Sequence, residues 1–231
     1  MKQRTETIGS CTLYLGDCMD LMAQYPDKYF DIAIVDPPYG GGNHKLHNYK
    51  EGGNWKNRLG NKIDSWDIAP DTSYFNELFR VSKQAIIWGG NNFTLPISKN
   101  FIIWYKPKMS GDGFSMAAAE YAWTNIPGNS KVYVFSQYEK ERIHPTQKPV
   151  ALYKWLLSNY AKQGDKILDT HLGGGSIAIA CNEMGFNLTA SEIDEDYFNA
   201  ACKRIEQAHN ERKNQPGLFP DTAGRAAVVG E

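Results

Sequence analysis

Short apolar runs alternate along the chain with longer segments whose apolar residues recur at helical spacing. The short runs are rich in β-branched and aromatic residues, which is typical of strands. They cover residues 12–15, 31–35, 84–88, 101–105, 119–124, 131–135, 166–168 and 187–191. The segments with helical spacing cover residues 17–25, 71–82, 150–161, 176–184 and 195–212. This alternation predicts an α/β fold, with a mostly parallel sheet covered by helices on both faces and a hairpin in that sheet over 119–135.

Two stretches interrupt the alternation. Residues 40–66 are rich in Gly, Asn and Lys and have little periodicity, and so long a loop inside a domain is usually functional or disordered. Residues 214–231 carry prolines and glycines that are typical of a disordered end. We therefore expect one domain over residues 1–213, followed by a disordered tail.

Composition excludes several classes of protein. A hydrophobic share of 42% is ordinary for a globular protein, and no apolar run approaches the length of a membrane span. Residues 1–4 lead into no signal-peptide core, so we expect a cytoplasmic protein. The four cysteines have neither C-x-x-C spacing nor a nearby histidine cluster, which favours reduced thiols over disulfides or a metal site.

The formal net charge of −1 argues against a uniformly basic nucleic-acid-binding surface. Residues 43–62 nevertheless hold five cations against one acid, Glu51, for a local charge of +4. These cations are Lys45, Lys50, Lys56, Arg58 and Lys62. A DNA-facing loop and a solvated loop with a chance excess of lysine explain this charge equally well.

An acid, two prolines and an aromatic residue follow the apolar run 31–35. The DPPY tetrapeptide comprises Asp36, Pro37, Pro38 and Tyr39. Two prolines end a strand because they cannot donate to a sheet ladder. A carboxylate, a rigid carbonyl and a ring are therefore predicted at the carboxyl end of a strand, where open α/β sheets bind ligands. A Pro-Pro turn without a further role is the alternative.

A second candidate site begins at the strand 166–168. Asp169 follows that strand, and a turn of three glycines then leads into a predicted helix. The glycine turn comprises Gly173, Gly174 and Gly175. Glycines let backbone amides approach a ligand closely, and Glu192 at the end of the next strand can accept hydrogen bonds from two ribose hydroxyls. This order predicts a site for a nucleoside-containing cofactor, with a glycine-rich connection and a surface glutamate as the alternative.

The HPTQKP segment, residues 144–149, precedes another predicted helix. Thr146 or Gln147 could cap that helix. Lys148 opposes the helix macrodipole, which indicates that its charge serves another group, such as a carboxylate. Asp17 is either a helix N-cap or a partner for the amino edge of a bound adenine.

Together these motifs resemble the β-class DNA amino-methyltransferases, which use S-adenosylmethionine. The DPPY tetrapeptide, the HPTQKP segment and the glycine turn stand in that family's order, and the resemblance spans residues 12–205. It implies a permuted, seven-stranded, mostly parallel methyltransferase (Rossmann-like) sheet with one antiparallel strand. Residues 166–168 would be the first strand of the usual order and 187–191 the second.

The resemblance also implies a cofactor site. Asp169, the glycine turn and Ser176 would line the methionine and the sugar, Glu192 would hold the ribose, and Thr146 and Lys148 would lie near the carboxylate end. The residues expected at the cofactor are Asp17, Cys18, Asp36, Thr146, Lys148, Asp169, His171, Gly173, Gly175, Ser176 and Glu192. Thr-His stands at 170–171 where the family commonly has Pro-Phe, so His171 would stack on the cofactor in place of that Phe.

The chemistry implied is methyl transfer to an exocyclic amino group of a DNA base, with the DPPY tetrapeptide as the catalytic motif. Asp36 and the Pro37 carbonyl would accept the two N–H bonds, so that the nitrogen lone pair faces the methyl sulfonium. The base would leave the duplex and stack on Tyr39. An Asp at the first motif position favours adenine N6, with cytosine N4 as the alternative. Cytosine C5 chemistry is excluded because the chain has no Pro-Cys pair.

DNA is the expected macromolecular partner. The residues expected to contact it are Tyr39, Lys45, Lys50, Lys56, Arg58, Lys106, Lys108 and Arg142. Residues 40–66 would form a mobile DNA-facing loop, and 106–144 a small target-recognition region. Because that region is short, base reading would be brief, relaxed or completed by a second subunit, for example in a homodimer.

Three other functions share parts of this pattern. The glycine turn, followed by Ala178 and Glu192, fits the G-x-G-x-x-A motif of nicotinamide-dependent oxidoreductases. Little chain follows Glu192, however, and hydride transfer gives no reason for the DPPY tetrapeptide. Enzymes that methylate protein glutamine carry Asn at the position of Asp36. A DNA-binding subunit without activity is the third alternative, and the intact tetrapeptide argues against it.

Overall fold

The computed structural model describes residues 4–40, 68–107, 117–135, 142–144 and 146–214. The strands within these ranges are β1 (Arg4–Ile8), β2 (Cys11–Leu15), β3 (Phe30–Val35), β4 (Ser82–Trp88), β5 (Phe101–Tyr105), β6 (Ala119–Thr124), β7 (Lys131–Val134), β8 (Lys166–Asp169) and β9 (Asn187–Glu192). The α-helices are α1 (Cys18–Met22), α2 (Thr72–Val81), α3 (Val150–Tyr160), α4 (Ser176–Met184) and α5 (Glu195–Asn214), and a 3₁₀ turn covers Gly90–Asn92.

The strands of the described ranges form one sheet in the order β1-β2-β9-β8-β3-β4-β6-β5-β7. All pairs from β2 to β4 are parallel, and β6 is antiparallel to both of its neighbours. The predicted permuted, mostly parallel sheet is therefore confirmed, with the late strands β8 and β9 near its centre. The seven strands from β2 to β5 match the expected number, and β1 and β7 extend the two edges.

Two details of the sheet differ from the sequence prediction. The prediction of a hairpin over 119–135 is wrong, because β5 lies between β6 and β7. It is antiparallel to β6 and parallel to β7. The more apolar β5 takes the inner place, since its Ile102 and Trp104 are buried, whereas Val132 and Val134 of β7 are exposed at the edge. The edge strand β1 was not predicted, because its sequence RTETI lacks an apolar pattern and its central residues are exposed.

The helices form a layer on each face of the sheet. Ile34 and Ile86 point into the core under α3, α4 and α5, and their neighbours Val35 and Ile87 point into the core under α1 and α2. Successive residues of a strand face opposite sides. The near-continuous apolar runs of the inner strands therefore fit burial on both faces.

The parallel register decides where the two candidate sites lie. β3 pairs with β8 through Ile32 opposite Ile167 and Ala33 opposite Leu168. Because both strands run in the same direction, the DPPY tetrapeptide after β3 and the turn after β8 leave the sheet side by side. The two sequence motifs, more than 130 residues apart, therefore belong to one site.

Candidate active site

Asp36 lies at the centre of the site, directly after β3. Its Oδ1 accepts a hydrogen bond from the hydroxyl of Tyr39 at 2.9 Å, and its Oδ2 accepts one from Nζ of Lys148 at 2.5 Å. The Asp36 side chain is 15% exposed. The carboxylate is thus held from two sides and remains open to solvent on a third.

Tyr39 packs inward against the end of β4. Its ring meets Phe93 edge-on, with the ring centroids 6.1 Å apart. A Cβ on Gly89 would lie 2.1 Å from a Tyr39 ring carbon, so the glycine leaves room for the ring. Burial and the charge of Asp36 raise the pKa of Tyr39, so that its hydroxyl stays protonated and donates to the carboxylate.

Lys148 joins a cluster of buried charges. It lies 3.4 Å from Glu120 of β6 as well as against Asp36, and Lys106 pairs with Glu120 at 2.8 Å. The buried charge cluster comprises Asp36, Lys106, Glu120 and Lys148. Burial alone would lower the pKa of Lys148, but the surrounding groups, above all Asp36, raise it well above its ordinary value. Two cations face two anions, so the cluster is electrically balanced.

Two members of this cluster carry roles predicted from the sequence. Lys106 was expected at DNA, but it is 4% exposed and paired with Glu120, which places its charge away from solvent. Lys148 was expected near the cofactor's carboxylate, and its nearest carboxylates in the described chain are those of Asp36 and Glu120. Glu120 itself was missed. The available signal was an acid within the otherwise uncharged strand Ala119–Thr124.

The glycine turn and Glu192 hold each other. The backbone N–H of Gly173 donates to Oε2 of Glu192 at 2.9 Å, and that of Asp194 donates to Oε1 at 3.0 Å. Each carboxylate oxygen keeps a further lone pair for a ligand. The acid predicted at the end of this strand is therefore fixed beside the glycine turn.

The HPTQKP segment packs on the same glycines. A Cβ on Gly174 would lie 2.4 Å from Oε1 of Gln147, and one on Gly175 would lie 2.8 Å from Ile205 of α5. Gly173 has φ +52° and no side chain closer than His144, 3.6 Å from the position of a Cβ. Protein packing thus requires two of the three glycines, and Gly173 retains the space for a ligand.

Asp169 is buried beneath the turn. Its Oδ1 accepts a hydrogen bond from the backbone N–H of His171 at 3.0 Å. Burial raises the pKa of Asp169 to about 7, partly opposed by that hydrogen bond. The carboxyl therefore titrates near neutral pH in the ligand-free chain.

His171 occupies the position where the family commonly carries Phe. Its ring lies edge-on to Tyr74, with the centroids 5.6 Å apart, and its Nδ1 lies 2.9 Å from the Thr170 hydroxyl. That hydroxyl also bonds the Tyr74 hydroxyl at 2.7 Å. Burial lowers the pKa of His171 to about 4, so a neutral aromatic ring stands at this position at neutral pH.

The remaining predicted cofactor residues have partners within the protein. Asp17 accepts a hydrogen bond from the backbone N–H of Met19, which confirms the N-cap interpretation. Burial, with the charge of Asp17, raises the pKa of the neighbouring Cys18 to about 12. Thr146 bonds the His144 ring at 3.1 Å. The Ser176 hydroxyl accepts from Arg204 at 3.1 Å, on the α5 side.

Most of the residues predicted to contact DNA lie outside the described part of the chain. Arg142 is partly buried, and its guanidinium lies 3.5 Å from the Gln147 carbonyl. Residues that lie outside the described ranges are Lys45, Lys50, Lys56, Arg58 and Lys108. The same holds for most of the predicted loop 40–66 and for 215–231.

The donor and acceptor set fits S-adenosylmethionine. Glu192 presents two acceptor oxygens suited to ribose hydroxyls, and Gly173 leaves a side-chain-free approach at the start of α4. Asp169 is a buried carboxyl beside this approach, and anions favour cationic ligand groups. Within the described part of the chain, no cluster of three or more His, Cys, Asp or Glu side chains could bind a metal ion. Among the helices of that part, none has the length and apolarity to cross a membrane.

The chain is similar in sequence and in fold to known DNA methylases. The N6_N4_Mtase family model, described as DNA methylase, matches residues 119–203. This match supports the resemblance of the chain to the N6/N4 DNA methylases. Members of this family methylate amino groups of DNA bases with S-adenosylmethionine.

Two relatives carry names of methyl-transferring proteins. "Putative methylase YubD" of Escherichia coli K12 is 25% identical over 226 residues, which cover 89% of this chain and 94% of that protein. The type II methyltransferase M.HpaI of Haemophilus parainfluenzae is 29% identical over 85 residues, 35% of this chain and 27% of that enzyme.

Solved structures show the same fold. The match to the M1.HpyAVI complex with SAM covers 84% of this chain and 99% of that one, at 21% identity and a TM-score of 0.51. The match to TTHA0409 of Thermus thermophilus, complexed with S-adenosyl-L-methionine, covers 85% of this chain and 93% of that one, at 18% identity and a TM-score of 0.52. The match to the cytosine-N4-specific PvuII DNA methyltransferase covers 88% of this chain and 93% of that one, at 13% identity and a TM-score of 0.53.

Proposed function

We propose that this chain is a DNA methyltransferase that transfers a methyl group from S-adenosylmethionine to the N6 amino group of adenine in DNA. The observation that carries the proposal is the pairing of β3 with β8, which sets the DPPY tetrapeptide beside the glycine turn. An amino-group acceptor site and a nucleoside site thus adjoin at one edge of the sheet. The Asp at the first motif position favours adenine over cytosine.

The cofactor would be held by residues at the ends of β8 and β9. Glu192 would accept the ribose hydroxyls, and Gly173 would admit the ligand close to the backbone. His171 would present its neutral ring to the cofactor. When bound, S-adenosylmethionine supplies an electrophilic methyl group.

Asp36 and the Pro37 carbonyl would act on the target amino group. Its nitrogen is a poor nucleophile because the lone pair is delocalised into the purine ring. Two accepted N–H bonds hold the nitrogen closer to a tetrahedral geometry and direct its lone pair out of the ring plane. The ionised Asp36 also stabilises the positive charge that develops on the nitrogen.

DNA would approach the same edge of the sheet. Tyr39 would stack on the flipped base, since aromatic stacking contributes about 1–3 kcal/mol per base. We retain the proposals that residues 1–213 form one catalytic domain, with 40–66 as a DNA-facing loop and 106–144 as the target-recognition region. A homodimer or a second subunit would complete base reading.

The test is a methyl-transfer assay with labelled S-adenosylmethionine and duplex DNA, followed by mass spectrometry of the nucleosides. We expect N6-methyldeoxyadenosine, whereas N4-methyldeoxycytidine would identify the cytosine alternative that the PvuII enzyme exemplifies. Single-molecule sequencing of DNA from cells expressing the chain would give the sequence context. A wild-type protein that labels neither base would overturn the proposal.

The matched variant is Asp36→Asn, which keeps the volume and removes the charge. Asn is preferable to Ala because truncation would leave Lys148 beside a cavity. We expect methyl transfer to fall about 10²-fold or more, as when a single stabilising group at a reaction centre is removed. Binding of S-adenosylmethionine should persist, and undiminished turnover would exclude Asp36 as the catalytic residue.

A further inference from the structure

Lys148 is a nearly buried cation between two strands. Its side chain is 3% exposed, and its ammonium contacts Asp36 after β3 and Glu120 on β6. The Trp88 ring lies 5.3 Å from Nζ. An ammonium has three donors, and two of them already serve carboxylates of the protein. The position of Lys148 is therefore fixed by Asp36 and Glu120 before any ligand binds.

The contacts with Lys148 and Tyr39 fix the orientation of the Asp36 carboxylate. With Oδ2 bound to Lys148, the carboxylate directs Oδ1 toward Tyr39 and the open side of the site. An isolated buried carboxylate or ammonium is costly, and removing one member of a buried pair typically costs about 3–5 kcal/mol. The contact with Lys148 therefore holds the Asp36 carboxylate against rotation.

We propose that Lys148 is a positioning residue for methyl transfer: by bridging Asp36 and Glu120, it keeps the Asp36 carboxylate turned toward the target amino group. This inference rests on the proposed function. Lys148, the cation of the HPTQKP segment, would then act on the base-binding half of the site rather than on the carboxylate of the cofactor. Glu120 and Lys106 complete the charge balance of the cluster.

Several titratable or charged groups face this pair. They are Tyr39 after β3, Tyr74 on α2, Lys106 after β5, Glu120 on β6, His144 in the HPTQKP segment, Tyr153 on α3 and Asp169 on β8. The tyrosines stay neutral because burial raises their pKa values. Lys148 is the cation in direct contact with Asp36, so its removal should change the position of the Asp36 carboxylate most.

The test is a double-mutant cycle of Asp36→Asn and Lys148→Met in the full chain. Single-turnover methyl transfer to duplex DNA and the Kd for S-adenosylmethionine are measured for all four proteins. If Lys148 acts through Asp36, Lys148→Met alone slows transfer about 10²-fold, as expected for a misplaced group. In the Asp36→Asn background it should then cause no further loss, because groups that act as a unit are not additive.

Two further measurements separate positioning from simple damage. The Kd for S-adenosylmethionine should stay within about threefold in Lys148→Met, so that the loss appears in the single-turnover rate and not in cofactor binding. Lys154→Met is the matched control, because Lys154 lies on α3 in a partly exposed pair with Glu183. This control should keep the wild-type rate and the wild-type Kd.

The outcomes decide the inference. A Lys148→Met protein with the wild-type single-turnover rate, or one that loses only cofactor affinity, overturns it. If Lys148→Met does not fold, the charge-balanced double variant is compared with Asp36→Asn: equal rates support the inference and a slower double variant overturns it. A wild-type chain without methyl transfer overturns the proposed function itself. If the wild type is active and the rate losses of Asp36→Asn and Lys148→Met multiply in the double variant, the inference alone is overturned.

Discussion

The hydroxyl of Tyr39 donates a 2.9 Å hydrogen bond to Oδ1 of Asp36, the carboxylate oxygen that Lys148 leaves open. Both oxygens of Asp36 therefore have protein partners. A target amino group could bond Oδ1 through the second lone pair of that oxygen, beside the Tyr39 hydroxyl. Tyr39 thus has two expected roles, since its hydroxyl holds Asp36 and its ring would stack on the base.

Substitution of Tyr39 should separate these roles. Tyr39→Phe keeps the ring and removes the hydroxyl, so we expect the KM for DNA within about threefold of wild type and no loss of kcat. Tyr39→Ala removes the stacking surface, worth about 1–3 kcal/mol, and should raise the KM for DNA about tenfold or more. Steady-state kinetics on one duplex substrate measures both. Equal defects in the two variants would show that the ring does not stack on the base.

Glu192 should control affinity for the cofactor. Glu192→Gln keeps the shape but removes the charge that would accept two ribose hydroxyls. Hydrogen bonds to charged groups contribute about 1.5–3 kcal/mol each, so we expect the Kd for S-adenosylmethionine to rise about 10- to 100-fold in calorimetry. The control is Glu195→Gln, an exposed acid three residues further on, which should bind as the wild type does. A Glu192→Gln protein with unchanged Kd would remove Glu192 from the cofactor site.

Asp169 should make cofactor binding depend on pH. Its pKa of about 7 in the ligand-free chain means that the carboxyl is half protonated at neutral pH. A cationic ligand binds the ionised form better, so the affinity for S-adenosylmethionine should fall about tenfold from pH 8 to pH 6. S-adenosylhomocysteine lacks the sulfonium charge and should show a weaker dependence. Asp169→Asn should flatten the profile, and an unaltered slope in that variant would assign the titration to another group.

His171 should lower stability in acid. Its folded-state pKa of about 4 lies below the ordinary 6.5, so the unfolded chain binds a proton first as the pH falls from 6.5 to 4. Stability is therefore lost across that window, by about 1–2 kcal/mol for a partly buried ring. His171→Phe should recover this amount in denaturant unfolding at pH 4.5 relative to pH 7.5.

Other groups titrate in the same window, so the comparison is between the variant and the wild type. Burial also lowers the pKa of His144 to about 4, which adds a similar loss, and the raised pKa of Asp169 acts in the opposite direction. Both effects are common to the two proteins. Parallel pH profiles for His171→Phe and wild type would show that His171 does not carry the acid sensitivity.

Local chemistry accounts for what the sequence predicted correctly. Pro37 and Pro38 end a strand, Asp17 caps a helix, and buried inner strands need apolar residues on both faces, so each of these features is encoded within a few residues. The macrodipole argument at Lys148 also indicated that its charge serves a carboxylate. The order of the motifs along the chain was enough to indicate the resemblance to DNA amino-methyltransferases.

The tertiary structure decided what depends on partners distant in sequence. Which strand lies beside which is set by packing across the whole sheet, so the place of β5 between β6 and β7 could not be read from 119–135. For the same reason the sequence could not identify Asp36 as the carboxylate that Lys148 serves, nor reveal Glu120 as its second partner. Segment chemistry determined which groups the chain offers, and only the folded sheet determined which of them meet.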